Sequence, residues 1–463
     1  MSQPPTYSFT HGPLGAIFAR TALPIIFVMS MNGLLTVTDA VFLGHYSGAA
    51  ALAAVTLMFP AYMVLNALAV LVAGGMSSLL ARHLGGKRYD DARAVFAGAH
   101  GLALALGALL IVLYLLAGGP IVRLAAGGSG PLADLGGIYL RIIILASPVM
   151  FLLAVQGDAL RNEGRAGLMA LMSLAVSLAN ILFNYVLIAR FDMGVAGSAY
   201  GTVLAQAVAL VAVFLFRWRG ETVLRPGALL RHGILSDWPA MLALGAPLSL
   251  NFIGIALGSA SIMTALQMTA GENYQTVVSA YGIVTRVLTF AYLPLLGLSQ
   301  AMQSITGNNY GAALWRRSDD SIRLAIGLAF LYCLTVQIAV SLHAPWIGGL
   351  FVADTQVIAG VGRIMPMVMA LYLLSGPNMM VAAYFQAIGD VPRAAVLGLS
   401  RPYVFSIPMT VLLACTAGEP GIWMATASAE ALLFLFTLFV LAHTARRRSL
   451  RFGLFTAAPE TLS

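Results

Sequence analysis

Twelve apolar stretches follow one another along this chain with hardly a gap, and each is long enough to cross a bilayer as a helix. Such a crossing needs about 20 apolar residues. The stretches are 16–44, 50–82, 92–118, 134–159, 166–190, 195–217, 239–266, 277–306, 321–345, 357–387, 394–416 and 420–444. Inside hydrocarbon the backbone must satisfy its own hydrogen bonds, so runs of this kind form helices. The expected fold is therefore an all-α integral membrane protein with twelve transmembrane helices. Only 9% of the 463 residues are charged. What lies between the stretches is too short for a soluble catalytic domain, so an enzyme is not expected. The first stretch is too long for a cleaved leader and is expected to remain as a membrane helix.

The two halves resemble each other. Pro24 matches Pro247 at an offset of 223, Gly75 and Gly85 match Gly297 and Gly307 at 222, Gly164 matches Gly389 at 225, and Gly197 and Gln206 match Gly421 and Glu430 at 224. Six helices per half is an even number, so both halves insert the same way round. The expected symmetry is a pseudo-two-fold axis along the membrane normal, with a substrate cavity between two six-helix lobes. The lobes are placed at 1–217 and 239–444, joined by a cytoplasmic linker at 218–238 and followed by a cytoplasmic tail at 445–463. Prolines deep in several spans (Pro24, Pro60, Pro148, Pro294, Pro366, Pro377 and Pro408) mark expected bends.

Basic residues set the orientation. With the N-terminus inside, eighteen Lys and Arg fall on inner loops and the tail, against Arg123 and Arg190 outside. This bias places both termini in the cytoplasm of a bacterial inner membrane. The net charge of +8 then follows from topology and contact with membrane lipid, and no nucleic-acid partner is expected. Cys333 and Cys415 lie in apolar helices and read as small buried hydrophobes.

Several chemistries are absent. The single lysine, Lys87, sits in Leu-Gly-Gly-Lys-Arg, which is not a phosphate-binding loop, so ATP is not the energy source. The seven histidines lack metal-ligand spacing, and no cofactor is expected. That leaves secondary transport of small molecules, driven by an ion. Asp39 stands alone in the first span, where an acid costs about 2.5–3.5 kcal/mol to insert and so marks a functional group by default. Asn180 and Asn184 share a helical face at i, i+4, and Thr202 opens the next helix. Together with Asp39 they form either an oxygen cage for sodium or a hydrogen-bonded proton site. The asparagines alone would serve equally as glue between helices. Glu430 reads either as a carboxyl buried against an arginine or as a second proton site. Asp158, one turn before Arg161, reads as a local ion pair, and Arg286, Arg363 and Arg401 as groups that snorkel or pair with Glu430. Candidates for the substrate cavity are Gln206, Tyr281, Arg286, Met379, Gln386 and Glu430.

The run Thr38-Asp39-Ala40-Val41-Phe42-Leu43-Gly44-His45, Leu160-Arg161-Asn162-Glu163-Gly164, the Asn180–Asn184 pair, Gly307-Asn308-Asn309-Tyr310-Gly311-Ala312 and Phe385-Gln386-Ala387-Ile388-Gly389 together resemble the multidrug and toxic compound extrusion family. The resemblance runs from about residue 16 to 444. It implies two lobes in a V, alternating access, and export of organic, often cationic, compounds in exchange for protons or sodium. It assigns the coupling acid to Asp39, the fifth-helix polar pair to Asn180 and Asn184, and the sixth-helix hydroxyl to Thr202. Some branches carry a second aspartate where this chain has Asn184, so coupling here is expected to rest on one carboxylate. Rival readings are a lipid-linked oligosaccharide flippase of the same superfamily and a dedicated exporter of one natural product. A monomer is expected.

Overall fold

The computed structural model describes residues 9–125, 130–220, 222–269, 274–448 and 451–455. Among them the only β pairing is one bridge, Arg451 to Phe455. The first half holds α1 (Leu14–Leu57), α2 (Phe59–Gly85), α3 (Tyr89–Ala125), α4 (Gly130–Leu145), α5 (Ser147–Asn162), α6 (Ala166–Asn184) and α7 (Gly194–Trp218). A short α8 (Ala228–Arg231) follows. The second half holds α9 (Trp238–Thr269), α10 (Tyr274–Gly311), α11 (Trp315–Leu342), α12 (Ala344–Phe351), α13 (Thr355–Met369), α14 (Tyr372–Ala387), α15 (Val391–Leu399) and α16 (Ile407–Arg448).

These helices supply the crossings expected from sequence. Helices α1, α2, α3, α7, α9, α10 and α11 cross singly, and α6 crosses together with a π-helical stretch, Tyr185–Arg190. Two spans are broken: α4 and α5 meet at 50°, and α13 and α14 at 43°. They occupy the same place in each half, which is the internal repeat seen as geometry. The apolar segment Val391–Arg446 is 56 residues long, enough for the last two crossings. It turns at Gly418, whose φ of 63° is a left-handed conformation open to glycine, and Pro420 follows where a new helix starts.

The outward sides of the helices are bare hydrocarbon. Leu115 and Leu116 on α3 are 71% and 77% exposed, and Phe439 on α16 is 66% exposed. A water-soluble protein does not present such surface, and a bilayer covers it. Cys333 is buried as expected, whereas Cys415 lies on the exposed side of α16. A thiol is apolar enough to face acyl chains as well as a core.

The chain folds as two compact units. One comprises the residues up to Gly12 with Ala19–Ser249, and the other Pro13–Phe18 with Leu250 onward. The first unit thus extends past the linker into α9. Absent side chains make this possible. A Cβ on Gly75 would collide with the Met241 carbonyl, one on Gly98 with the Ser236 carbonyl, and one on Gly245 with the Leu71 carbonyl. Trp238 Nε1 donates to the Gly98 carbonyl at 2.9 Å.

A buried ionic clamp holds the start of the linker. Arg217, fully buried at the end of α7, donates from Nη1 to Glu163 Oε2 at 2.8 Å and to the Leu224 carbonyl at 3.0 Å. Its Nε donates to Gln156 Oε1 at 2.6 Å. The Leu224 amide donates back to Glu163 Oε1 at 3.1 Å. His100 completes the cluster, with Nε2 2.9 Å from Gln156 Nε2 and Nδ1 2.7 Å from the Phe96 carbonyl. Because Nδ1 must donate to that carbonyl, Nε2 accepts from Gln156. The second unit has its own returning segment after the last helix. Tyr384 Oη donates to the Leu454 carbonyl at 3.0 Å, and the Arg323 guanidinium lies 4.4 Å from the Phe455 ring centre.

Arg161 and Arg217, which by sequence belong with the inner-loop charges, are therefore structural. Arg161 lies 3.1 Å from Asp158, the local ion pair expected from sequence, and donates to Ser77 Oγ at 2.9 Å. Removing one partner of a buried pair leaves the other charge uncompensated, at a cost of about 3–5 kcal/mol. Arg217→Gln should accordingly lower the melting temperature of the purified protein by many degrees. An unchanged melting curve would show that the clamp contributes no stability.

Candidate functional site

Three helices of the first unit bring the polar residues together. Asp39 lies on α1, fifteen residues after Pro24. Asn180 and Asn184 lie on one face of α6, the latter at its last turn before the π-helical stretch. Thr202 lies on α7. Both asparagines are buried.

The hydrogen bonds run outward from the Asn184 amide in two directions. Thr202 Oγ1 donates to the Ser198 carbonyl at 3.2 Å, and Asn180 Nδ2 donates to Thr202 Oγ1 at 3.0 Å. Asn184 Nδ2 donates both to Asn180 Oδ1 at 3.1 Å and to Asp39 Oδ1 at 2.6 Å. Asp39 is the acceptor at one end and the Ser198 carbonyl at the other. The orientation of the Asn184 amide follows from its neighbours, because its oxygen turned inward would face two acceptors. As placed, Asn184 Oδ1 has no hydrogen-bond partner although it is buried.

Close packing of α6 on α7 explains how the amide is aimed. A Cβ on Gly201 would overlap Asn184 Oδ1, and one on Gly197 would sit 3.1 Å from the Leu187 carbonyl carbon. Gly197 and Gly201 stand four apart, the small-xxx-small pattern that lets membrane helices approach closely. Two phenols on other spans, Tyr62 on α2 and Tyr139 on α4, lie within electrostatic reach of Asp39. The spacing of Gly197 and Gly201 was a usable sequence signal. Tyr62 and Tyr139 carried none, since a lone tyrosine in an apolar span looks like packing.

The remaining cavity candidates do not form one constellation. Gln206 sits one turn beyond Thr202 on α7, partly buried. In the second unit Tyr281 is covered by Trp423, with ring centres 5.4 Å apart. Arg286 is exposed on α10, Met379 is partly buried on α14, and Gln386 is buried at the end of α14. Glu430 is buried with Arg401 Nη2 2.6 Å from its Oε1. Of the arginines expected to snorkel or pair, Arg401 pairs with Glu430, whereas Arg363 bonds Glu419 at 2.5 Å.

Repeated units of bent apolar helices, with the Asp39 carboxylate held by the Asn184 amide at span depth, define a multi-pass membrane protein of the transporter class. A model of the MatE family matches the chain twice, over residues 24–186 and 247–412, each match opening on one of the two paired prolines. Multidrug export protein MepA of Staphylococcus aureus is 22% identical over 437 residues, covering 94% of this chain and 95% of the relative. Probable multidrug resistance protein YoeA of Bacillus subtilis is 24% identical over 377 residues, 80% of each chain. An outward-facing multidrug resistance MATE transporter superposes with a TM-score of 0.86 at 24% identity, over 94% of this chain and 97% of its own. A Pyrococcus furiosus transporter of the MOP superfamily gives 0.85 at 25% identity over the same shares. The chain belongs to the MatE family of multidrug efflux transporters.

Gly201→Ala should displace the Asn184 amide, because a methyl there leaves no room for its oxygen. The variant should still insert, and ion-driven transport in vesicles should fall by about tenfold or more, as for other misplacements near 1 Å. Full transport would mean that the aim of Asn184 is immaterial.

Proposed function

We propose that this protein exports organic cations in exchange for protons, with Asp39 as the coupling group. The observation that carries this reading is the hydrogen bond that Asn184 Nδ2 donates to Asp39 Oδ1 at 2.6 Å. A donated N–H favours the ionised carboxylate, which can only accept. A proton arriving at Asp39 removes the charge that holds the Asn184 amide in this orientation. The released Asn184 amide is then free to turn its unpartnered oxygen toward the new carboxyl O–H. Proton binding and rearrangement of α1 against α6 become one event.

Sodium fits the same residues less directly. Asp39, Asn180, Asn184 and Thr202 offer oxygens of the right chemistry. However, the Asn184 N–H groups already occupy the faces of Asp39 Oδ1 and Asn180 Oδ1 that a cation between them would use. Sodium therefore needs the amide inverted before it binds, whereas a proton needs only the carboxyl. The proposed orientation has both termini in the cytoplasm. It is supported by the basic residues, whose bias survives removing Arg161 and Arg217 from the inner count.

Asp39→Asn should insert and fold normally and lose efflux driven by an imposed pH gradient in proteoliposomes. Full pH-driven efflux in that variant would remove Asp39 from the mechanism. Efflux driven by a sodium gradient and indifferent to pH would replace the proton by sodium at the same residues.

A further inference from the structure

Two buried ion pairs in this molecule differ in a way that bears on function. In the Arg217–Glu163 pair both side chains are sealed, at 0% and 3% exposed. In the Arg401–Glu430 pair the acid is 4% exposed but the arginine is 32% exposed. The acid of this second pair is fixed, and its cation has a way out.

The surroundings of Glu430 are built to hold a carboxylate. Oε1 takes Arg401 Nη2 at 2.6 Å, and Asn378 Nδ2 reaches Oε2 at 3.3 Å and the Glu430 carbonyl at 3.4 Å. Asn378 is buried, and its own Oδ1 has no hydrogen-bond partner. Arg401 belongs to a π-helical stretch, Ser400–Ser406, between α15 and α16. Such stretches are rare and cluster at functional sites. Tyr292 and Tyr372 both feel the Arg401 charge. The ring of Tyr372 is held in place because its Oη donates to the Ala291 carbonyl at 3.1 Å, a carbonyl that Tyr332 Oη also reaches at 2.8 Å. A charged side chain at membrane depth faces protein or water, so the open side of Arg401 is aqueous.

We infer that Glu430 is a binding subsite for a monovalent organic cation, and that Arg401 is an internal occupant which the substrate displaces. Glu430 cannot be left bare, because an uncompensated buried charge is strongly disfavoured. Exchange of one cation for another avoids that state. A quaternary or delocalised organic cation is weakly hydrated, so it enters the site with little loss of solvation. Its charge then meets Glu430 in place of the guanidinium. The guanidinium swings toward water through the opening it already has. This subsite rests on the exporter reading and names the chemistry it recognises.

Binding of tetraphenylphosphonium to the purified full-length protein tests the idea. Removing the internal competitor with Arg401→Gln should tighten binding by about tenfold, since the occupied form no longer subtracts from the competent population. Glu430→Gln should weaken it by about tenfold or more, the loss of a charged partner. The double variant R401Q/E430Q keeps an amide-to-amide contact in place of the ion pair and should fold with a near-normal melting temperature. It should bind as weakly as E430Q. Wild-type affinity in the double variant, or equal weakening by R401Q and E430Q, would overturn the subsite and leave a plain structural pair. Either result would leave pH-driven export through Asp39 standing. Failure of the wild-type protein to export any organic cation from proteoliposomes would instead sink the exporter reading itself.

Discussion

The hydrogen bond from Asn184 to Asp39, 2.6 Å long, is the contact on which the first unit turns. A carboxylate inside an apolar span is poorly solvated, so donors from its own unit matter. Supplying one requires α6 to lie close enough to α1 and in one rotation only. That rotation is fixed from behind by α7, whose Gly197 and Gly201 remove the two side chains that would hold it off. The π-helical stretch after Asn184 widens the helix just where the amide must project. Placement of one amide thus links helix packing, backbone irregularity and the acid.

Much of this was legible in the sequence, for a physical reason. Hydrocarbon forbids unpaired polar groups, so a polar residue within an apolar run is conspicuous, and Asp39, Asn180, Asn184 and Thr202 could be picked out one by one. Helical spacing put the two asparagines on one face and chain order put Thr202 on the next helix, whereas the place of Asp39 beside them was what the family resemblance implied. The spans were legible for the same reason, and so was the internal repeat, because the prolines and glycines that bend helices recur at nearly constant distance. The broken spans α4–α5 and α13–α14 are the clearest structural form of that repeat.

The rest was hidden where charge sign and burial come apart. Arg161 and Arg217 sit at helix ends and look like any basic residue that marks the inner face, yet both are sealed in polar networks. Nothing in the order of residues reveals that Glu163 lies beside Arg217, since their pairing depends on how α5 and α7 end. The same holds for the length of the first unit. A boundary drawn at the loop overlooks the bare glycines of α2 and α3, against which the linker and the start of α9 are seated. The exposure of Cys415 is invisible to hydropathy, because membrane helices have two apolar surroundings, protein and lipid, and hydropathy cannot tell them apart.

The segment after α16 has a practical bearing on experiments. Leu454 is buried, and its carbonyl accepts from Tyr384 in the span that also carries Asn378. A fluorescent reporter or purification handle joined immediately behind it would pull on that span. Brightness or yield from such a fusion would then report the strain of the attachment along with the fate of the transporter, and a spacer ahead of the handle separates the two.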